Sequence, residues 1–132
     1  MTPIRFHQKA FVFDQVGRFL VLKRAYTNQK WDLPGGAVEL PEEHETALRR
    51  EIKEETSIDV KNIVPLEIKT VLSDDGFYTI FAGFTCKAES QDVRLSPEHT
   101  EYRWATPDEF IEMDATEYLK DVARKLLNKR QG

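Results

Sequence analysis

Apolar positions along the chain recur with two periods, and the change from one to the other marks the elements. Residues 5–13 close on Ala10-Phe11-Val12-Phe13, an unbroken apolar run of strand length. The polar Asp14-Gln15-Val16-Gly17 that follows is a turn, and Arg18 to Lys23 forms a second strand, so the pattern predicts an antiparallel hairpin. Residues 25–30 are polar and loop-like. Trp31-Asp32-Leu33-Pro34-Gly35-Gly36 then makes a sharp turn, because Pro34 fixes φ and the glycines reach backbone angles closed to other residues. Residues 41–56 read as a helix opened by Pro41, with Glu42, Glu43 and Glu45 complementing the positive end of its dipole.

Ile58, Val60, Ile63, Val64, Ile68 and Val71 fill residues 58–72 with β-branched side chains, read as one or two strands around Pro65. Ser73-Asp74-Asp75-Gly76 carries the Asp-Gly signal of a hairpin turn, and Phe77 to Cys86 alternates as the returning strand. Residues 101–104 form a short strand. Thr106-Pro107-Asp108-Glu109 is a capping box opening a short helix, and Asp114-Ala115-Thr116-Glu117 is a second capping pattern. Beyond it, Tyr118, Leu119, Val122, Ala123, Leu126 and Leu127 fall at i, i+3, i+4 spacing, with Lys125, Lys129 and Arg130 at the negative end of this terminal amphipathic helix.

Composition narrows the class. The chain has 132 residues, 40% of them hydrophobic, which suits one globular domain over residues 1–132. No repeat or linker interrupts it. No apolar run approaches the roughly 20 residues of a membrane helix, and Met1 to His7 lacks a secretory apolar region, so a cytoplasmic protein is expected. The single Cys86 excludes an internal disulfide and a cysteine-rich zinc site and reads as a small buried hydrophobe. The net charge of −4 argues against general nucleic-acid binding. The aromatic residues Trp31, Phe77, Tyr78 and Tyr102 read as core rather than as platforms for a base.

The charge pattern on the 41–56 helix points to chemistry. With Glu51 set at zero, Glu55 falls near about 40° and Glu54 near about 300° of a helical wheel, among Ala47, Leu48 and Ile52. Arg49 and Lys53 point the opposite way. Three carboxylates therefore overlap the apolar stripe, where they repel one another and lose hydration. Arg50 reaches Glu54 at i+4, but one guanidinium does not neutralise three acids. A hard divalent cation does, and Mg²⁺ so held shares its shell with waters and phosphates. Such an ion also makes an acidic site attractive to a polyanion.

This stretch resembles the Nudix box. Gly36, five residues, Glu42, seven residues, then Arg50-Glu51-Ile52-Lys53-Glu54-Glu55-Thr56-Ser57-Ile58 follow that signature at every specified position except Ser57, where the family has Gly. The flanks are similar too: Leu33-Pro34-Gly35-Gly36 before the box, Glu101-Tyr102-Arg103-Trp104 and Pro107-Asp108-Glu109-Phe110 after it. Ser57 falls where a chain leaving a helix often turns left-handed, a conformation costing a non-glycine residue about 1 kcal/mol.

The resemblance implies an α/β (α+β) fold, the Nudix-type α/β/α sandwich with a mixed sheet between helices. It implies Mg²⁺- or Mn²⁺-dependent hydrolysis of a pyrophosphate bond in a nucleoside diphosphate-linked substrate, with a nucleoside triphosphate, oxidised or non-standard ones included, as the leading candidate. Hydrolysis of ADP-ribose, a nucleotide sugar or a diadenosine polyphosphate is the alternative, and a non-catalytic nucleotide sensor belongs to a different class. By the same resemblance Glu51, Glu54, Glu55 and the Gly36 carbonyl hold the metal, and Glu51 is the first candidate for the base. Arg50 orients the glutamates, and Glu42 supports the helix start. Arg24 is a candidate phosphate contact. Glu98 and Glu101 both qualify as a further ligand or base, and the sequence does not choose between them. His99 reads as loop polarity. The partner is a small nucleotide, with no membrane; an edge strand and the apolar terminal helix could each support a homodimer.

Overall fold

In the computed structural model the described residues are 3–26, 28–39, 41–72 and 75–131, with side chains to residue 128. The strands among them are β1 (Ile4–Phe13), β2 (Phe19–Arg24), β3 (Trp31–Asp32), β4 (Gly35–Ala37), β5 (Val60–Leu72), β6 (Tyr78–Ala88) and β7 (His99–Ala105). The helices are α1 (His44–Thr56), α2 (Pro107–Ile111) and α3 (Glu117–Gln131). The strands make one mixed sheet ordered β3-β2-β1-β6-β5, with β4 also on β1 and β7 also on β2.

The unbroken apolar run in β1 is explained by helices on both faces of the sheet, since a strand covered on each side has no polar face to alternate. Ala10 and Val12 join Leu20, Leu22, Phe84, Leu48 and Ile52 under α1. Phe11 joins Phe19, Val21, Phe81, Phe110, Leu119 and Val122 under α2 and α3. The α/β/α sandwich is thus present, and each apolar strand divides its side chains between two cores by period two.

The predicted hairpin exists only at its tip. β1 and β2 pair antiparallel at Phe13↔Phe19, whereas β1 runs parallel to β6 along its whole length, from Ile4↔Tyr78 to Phe13↔Lys87. The other edge of β1 takes β4, with Lys9 opposite Gly35 and Gln8 opposite Gly36. That pairing fixes the loop on which the site is built. Gly35 sits at φ 139°, and a Cβ there would strike the Gln8 carbonyl, so the close pairing requires glycine.

Of residues 58–72, Val60–Leu72 form one strand, β5, rather than two, its register shifting near Asn62 and Pro65. Tyr78 and Tyr102 are largely exposed rather than core, while Trp31 is buried and carries Arg103 over its ring at 5.0 Å. The Thr106–Glu109 capping box is present, but α3 begins at Glu117, and the Asp114 carbonyl instead accepts from the Trp31 N–H at 2.8 Å. The apolar face of α3 is buried in the core, so it offers no free surface to a second chain, whereas edge strand β5 exposes Val64, Ile68 and Leu72. Ser73 and Asp74 of the predicted turn, and the side chains of Lys129 and Arg130, lie outside the described residues. Among the described residues no helix is long and apolar enough to cross a membrane.

Candidate active site

Helix α1 carries the carboxylates, and its start differs from the sequence expectation. Glu43, not Ser/Thr/Asp/Asn, is the N-cap, accepting from the Thr46 N–H at 3.0 Å; Pro41 lies in the turn before the helix. Glu42 therefore also stands outside the helix. Its carboxylate takes a two-pronged grip from Arg50, Nε at 2.7 Å and Nη2 at 2.8 Å, while Arg50 Nη1 reaches Glu54 at 3.2 Å. Arg50's hydrogen bonds hold Glu42 below the usual carboxylate range. Arg50 thus ties the pre-helix turn to the exposed acid Glu54.

At the other end, Ser57 is left-handed at φ 66°, ψ 12°, its N–H donating to Lys53 O at 2.8 Å and its Oγ to Arg94 O at 3.2 Å. The left-handed exit was legible; the hydroxyl bond that offsets part of its strain was not.

Glu51 and Glu55 face the β4 loop. Glu55 is buried, and its Oε1 accepts the Gly35 N–H at 2.8 Å. A Cβ on Gly36 would collide with Glu51 Oε2, so the absence of a side chain lets that backbone sit against the Glu51 carboxylate. Glu51 Oε1 is buried with no hydrogen-bond partner among the described residues. Burial pushes Glu51 up to about 7 and Glu55 up to about 8.

Beneath them lies an ion network that the sequence reading missed. Lys9 is buried, with Nζ 3.2 Å from Asp32 Oδ2, and Arg24 Nε donates to the same oxygen at 3.0 Å. Burial alone would lower the Lys9 pKa and raise that of Asp32. Their mutual attraction, with Glu55 acting on Lys9 and Arg24 on Asp32, reverses both shifts, so the pair stays ionised. A lysine directly abutting the Ala10–Phe13 apolar run was the available signal.

Glu98 and Glu101 separate. Glu98 lines a cleft of about 250 Å³ with Lys9, Arg24, Asp32, Glu55 and His99. Glu101 instead pairs with Lys23 across the β2–β7 ladder, 3.5 Å away, and does not reach this cleft. The loop is latched to the helix end, with Ser96 N–H donating to Glu55 O at 3.2 Å, and to β2, with Ala25 N–H donating to Glu98 O at 2.9 Å.

His99 is not loop polarity. It is buried at the start of β7, with Nε2 4.0 Å from Glu55 Oε2, and burial lowers its pKa, leaving the imidazole neutral at pH 7. A second, larger cleft of about 640 Å³ shares Lys9, Arg24 and Asp32 with the first and extends to His7, Thr79 and Tyr118.

The donor set suits a hard divalent cation. It offers carboxylate and carbonyl oxygens, an orphaned buried oxygen on Glu51, and a glycine cradle that a Cβ would fill. Burial raises both carboxyls toward neutrality, and perturbed carboxyls in a cleft are a mark of functional sites. Such a site can neutralise phosphate charge and can take a proton near neutral pH.

Comparison with known proteins agrees with this geometry. The family description "NUDIX domain" matches residues 5–127. A MutT-like protein of Streptomyces ambofaciens is 39% identical over 102 residues, covering 77% of this chain and 64% of that protein. Nucleoside triphosphatase NudI of Escherichia coli O81 (strain ED1a) is 35% identical over 95 residues, 64% of this chain and 67% of that protein. The aligned region thus spans about two thirds of these relatives' length. Among solved structures, the MutT protein of Methanosarcina mazei Go1 superposes with a TM-score of 0.86 at 26% identity, covering 99% of this chain and 98% of that one. A Caenorhabditis elegans Ap4A hydrolase complex superposes at 0.81, with 97% and 98% covered, but at 22% identity it speaks for the fold alone.

Proposed function

This chain belongs to the Nudix family, and from that premise we propose that it hydrolyses a pyrophosphate bond of a nucleoside triphosphate, using Mg²⁺ or Mn²⁺ held by the Gly36 carbonyl, Glu51, Glu54 and Glu55. The observation that carries the reading is the Gly36–Glu51 contact: a family-signature glycine and glutamate brought together, with one carboxylate oxygen buried and unpaired. The choice of a triphosphate is supported by the name of the NudI relative, which exceeds 30% identity.

A bound divalent ion supplies charge neutralisation at the phosphates and a more acidic water. The chain's own residues do the rest. Glu51 serves as the base, supported by a carboxyl pushed up to about 7, where both protonation states are populated at neutral pH. Arg50 holds Glu54 in place, and the Gly35 N–H fixes the orientation of Glu55. Arg24 and Lys9 line both clefts, so phosphates beside Glu55 leave the 640 Å³ cleft for the nucleoside. Asp32 keeps those two cations in position.

The test is a hydrolysis panel with Mg²⁺ and product identification, covering standard and oxidised triphosphates, ADP-ribose, nucleotide sugars and diadenosine polyphosphates. Triphosphate turnover that EDTA abolishes is the expected result. Preference for a dinucleotide or ADP-ribose overturns the substrate class, and binding without turnover overturns the enzyme reading.

A further inference from the structure

We infer that Gln8 is a positioning residue for Glu51: Gln8 Oε1 and Glu51 Oε1 accept from one shared buried water, which holds the carboxylate in the Gly36 cradle. Gln8 is fully buried in β1. Phe6, Ala10 and Val12, on the same face of the strand, pack into the apolar core under α1, so an amide among them is out of pattern. Half of that amide is accounted for. Nε2 donates to the His44 carbonyl at 2.7 Å and pins the first turn of α1 to the sheet. Oε1 is buried with no hydrogen-bond partner among the described residues.

The strand register brings this side chain beside Glu51. Gln8 and Gly36 stand opposite each other in the β1–β4 ladder, so their side-chain positions share a face about 5 Å apart. The position that Gly36 leaves open is taken by Glu51 Oε2. Glu51 Oε1 is itself a buried acceptor without a partner among the described residues, so two unpaired acceptors are neighbours.

The donors around them are committed elsewhere. Lys9, next along β1, leaves the strand on its opposite face and binds Asp32 at 3.2 Å. Arg50 grips Glu42 and Glu54, and the Gly35 N–H holds Glu55. Buried acceptors in folded proteins find donors, and one water with two hydrogens serves both. Bridged in this way, the two oxygens stand about 4.5–5.5 Å apart. Glu51 then has both oxygens fixed, Oε2 by the cradle and Oε1 by the water, and its carboxylate keeps one orientation. The buried bridge stands on its own; its effect on turnover rests on the proposed function, which makes Glu51 the base.

Two measurements test it. The first is a crystal structure of the metal-free chain at a resolution that shows ordered water. The expected result is a water within about 3.2 Å of both Gln8 Oε1 and Glu51 Oε1. No water there, or the two oxygens in direct contact, overturns the inference. The second is Gln8→Met, which keeps the length of the side chain and removes both polar atoms. For a nucleoside triphosphate with Mg²⁺, kcat is expected to fall at least about tenfold with KM within about twofold. A lower melting temperature with kcat unchanged is the mark of a merely structural role and overturns the positioning role. Should Gln8→Met fail to fold, the water position in the unmodified chain decides. The two readings fail separately. A bridging water in a chain that hydrolyses no nucleotide removes the proposed function and leaves the bridge standing, and hydrolysis without the water does the reverse.

Discussion

Glu55 is the residue on which the site converges: one oxygen on the Gly35 N–H, the other toward His99, the whole side chain buried beside Lys9. Burial raises its pKa to about 8, so between roughly pH 4.5 and 8 the folded chain keeps a proton that the unfolded chain releases. The sign follows: this group favours folding at low pH, and its contribution is lost as pH rises toward 8. Glu55→Gln is therefore expected to raise the melting temperature of the metal-free protein, and to raise it more at pH 8.5 than at pH 5.5. Melts of both proteins at the two pH values check this, and a drop at pH 8.5 contradicts it. Gly36→Ala makes a different point. Its Cβ displaces the Glu51 carboxylate, and a misplacement of that size lowers turnover by about 100-fold. Steady-state kinetics beside a circular dichroism spectrum separate that loss from unfolding. Glu51 and Glu55 were legible because they fall among the apolar positions of the helix, whereas Glu54, which the wheel placed with them, stays exposed. Lys9, Asp32 and His99 were less so, because each meets its neighbour far along the chain: Lys9 pairs with Asp32, and His99 lies 4.0 Å from Glu55. Local sequence carries the charge but not the partner.

At the scale of elements, the exit from α1 is the most informative. Ser57 holds a left-handed conformation that glycine adopts freely, and its hydroxyl recovers part of the strain through Arg94 O. Ser57→Gly is expected to stabilise the chain by about 0.5–1 kcal/mol with turnover unchanged, since the carboxylates lie upstream. Urea unfolding and kcat, measured together, test it; a large rate gain without a stability change contradicts it. Strands β1, β2, β5 and β6 and the Thr106–Glu109 box followed from local pattern, whereas β3 and β4 fall in the Trp31–Gly36 stretch read as one sharp turn. What did not was β1's choice of neighbour. Its parallel pairing with β6 joins residues more than 70 positions apart, and periodicity within a strand says nothing about which strand lies beside it. The hairpin expectation captured only the Phe13↔Phe19 end for that reason. The helix start was misread because Pro41 and the following acids imitate a first turn, while Glu42 is used by Arg50 instead.

For the whole molecule, an acidic chain that works on a polyanion needs local positive charge. On the proposed function, Lys9 and Arg24 supply some, and a bound cation would supply the rest of the attraction. Because Glu51 and Glu55 must lose protons to ligate, metal binding and pH are linked. Mg²⁺ is expected to stabilise the chain more at pH 8 than at pH 6, with proton uptake by the buffer on titration at pH 7; calorimetry in buffers of different ionisation enthalpy measures it. The most direct test of the account is nucleoside triphosphate turnover with Mg²⁺ by the unmodified chain and by Glu54→Gln. Glu54 is exposed and on the helix surface, so its isosteric amide leaves the fold alone. The account predicts the same melting temperature without metal and turnover lower by two orders of magnitude or more. A Glu54→Gln protein that keeps full Mg²⁺-dependent turnover contradicts it.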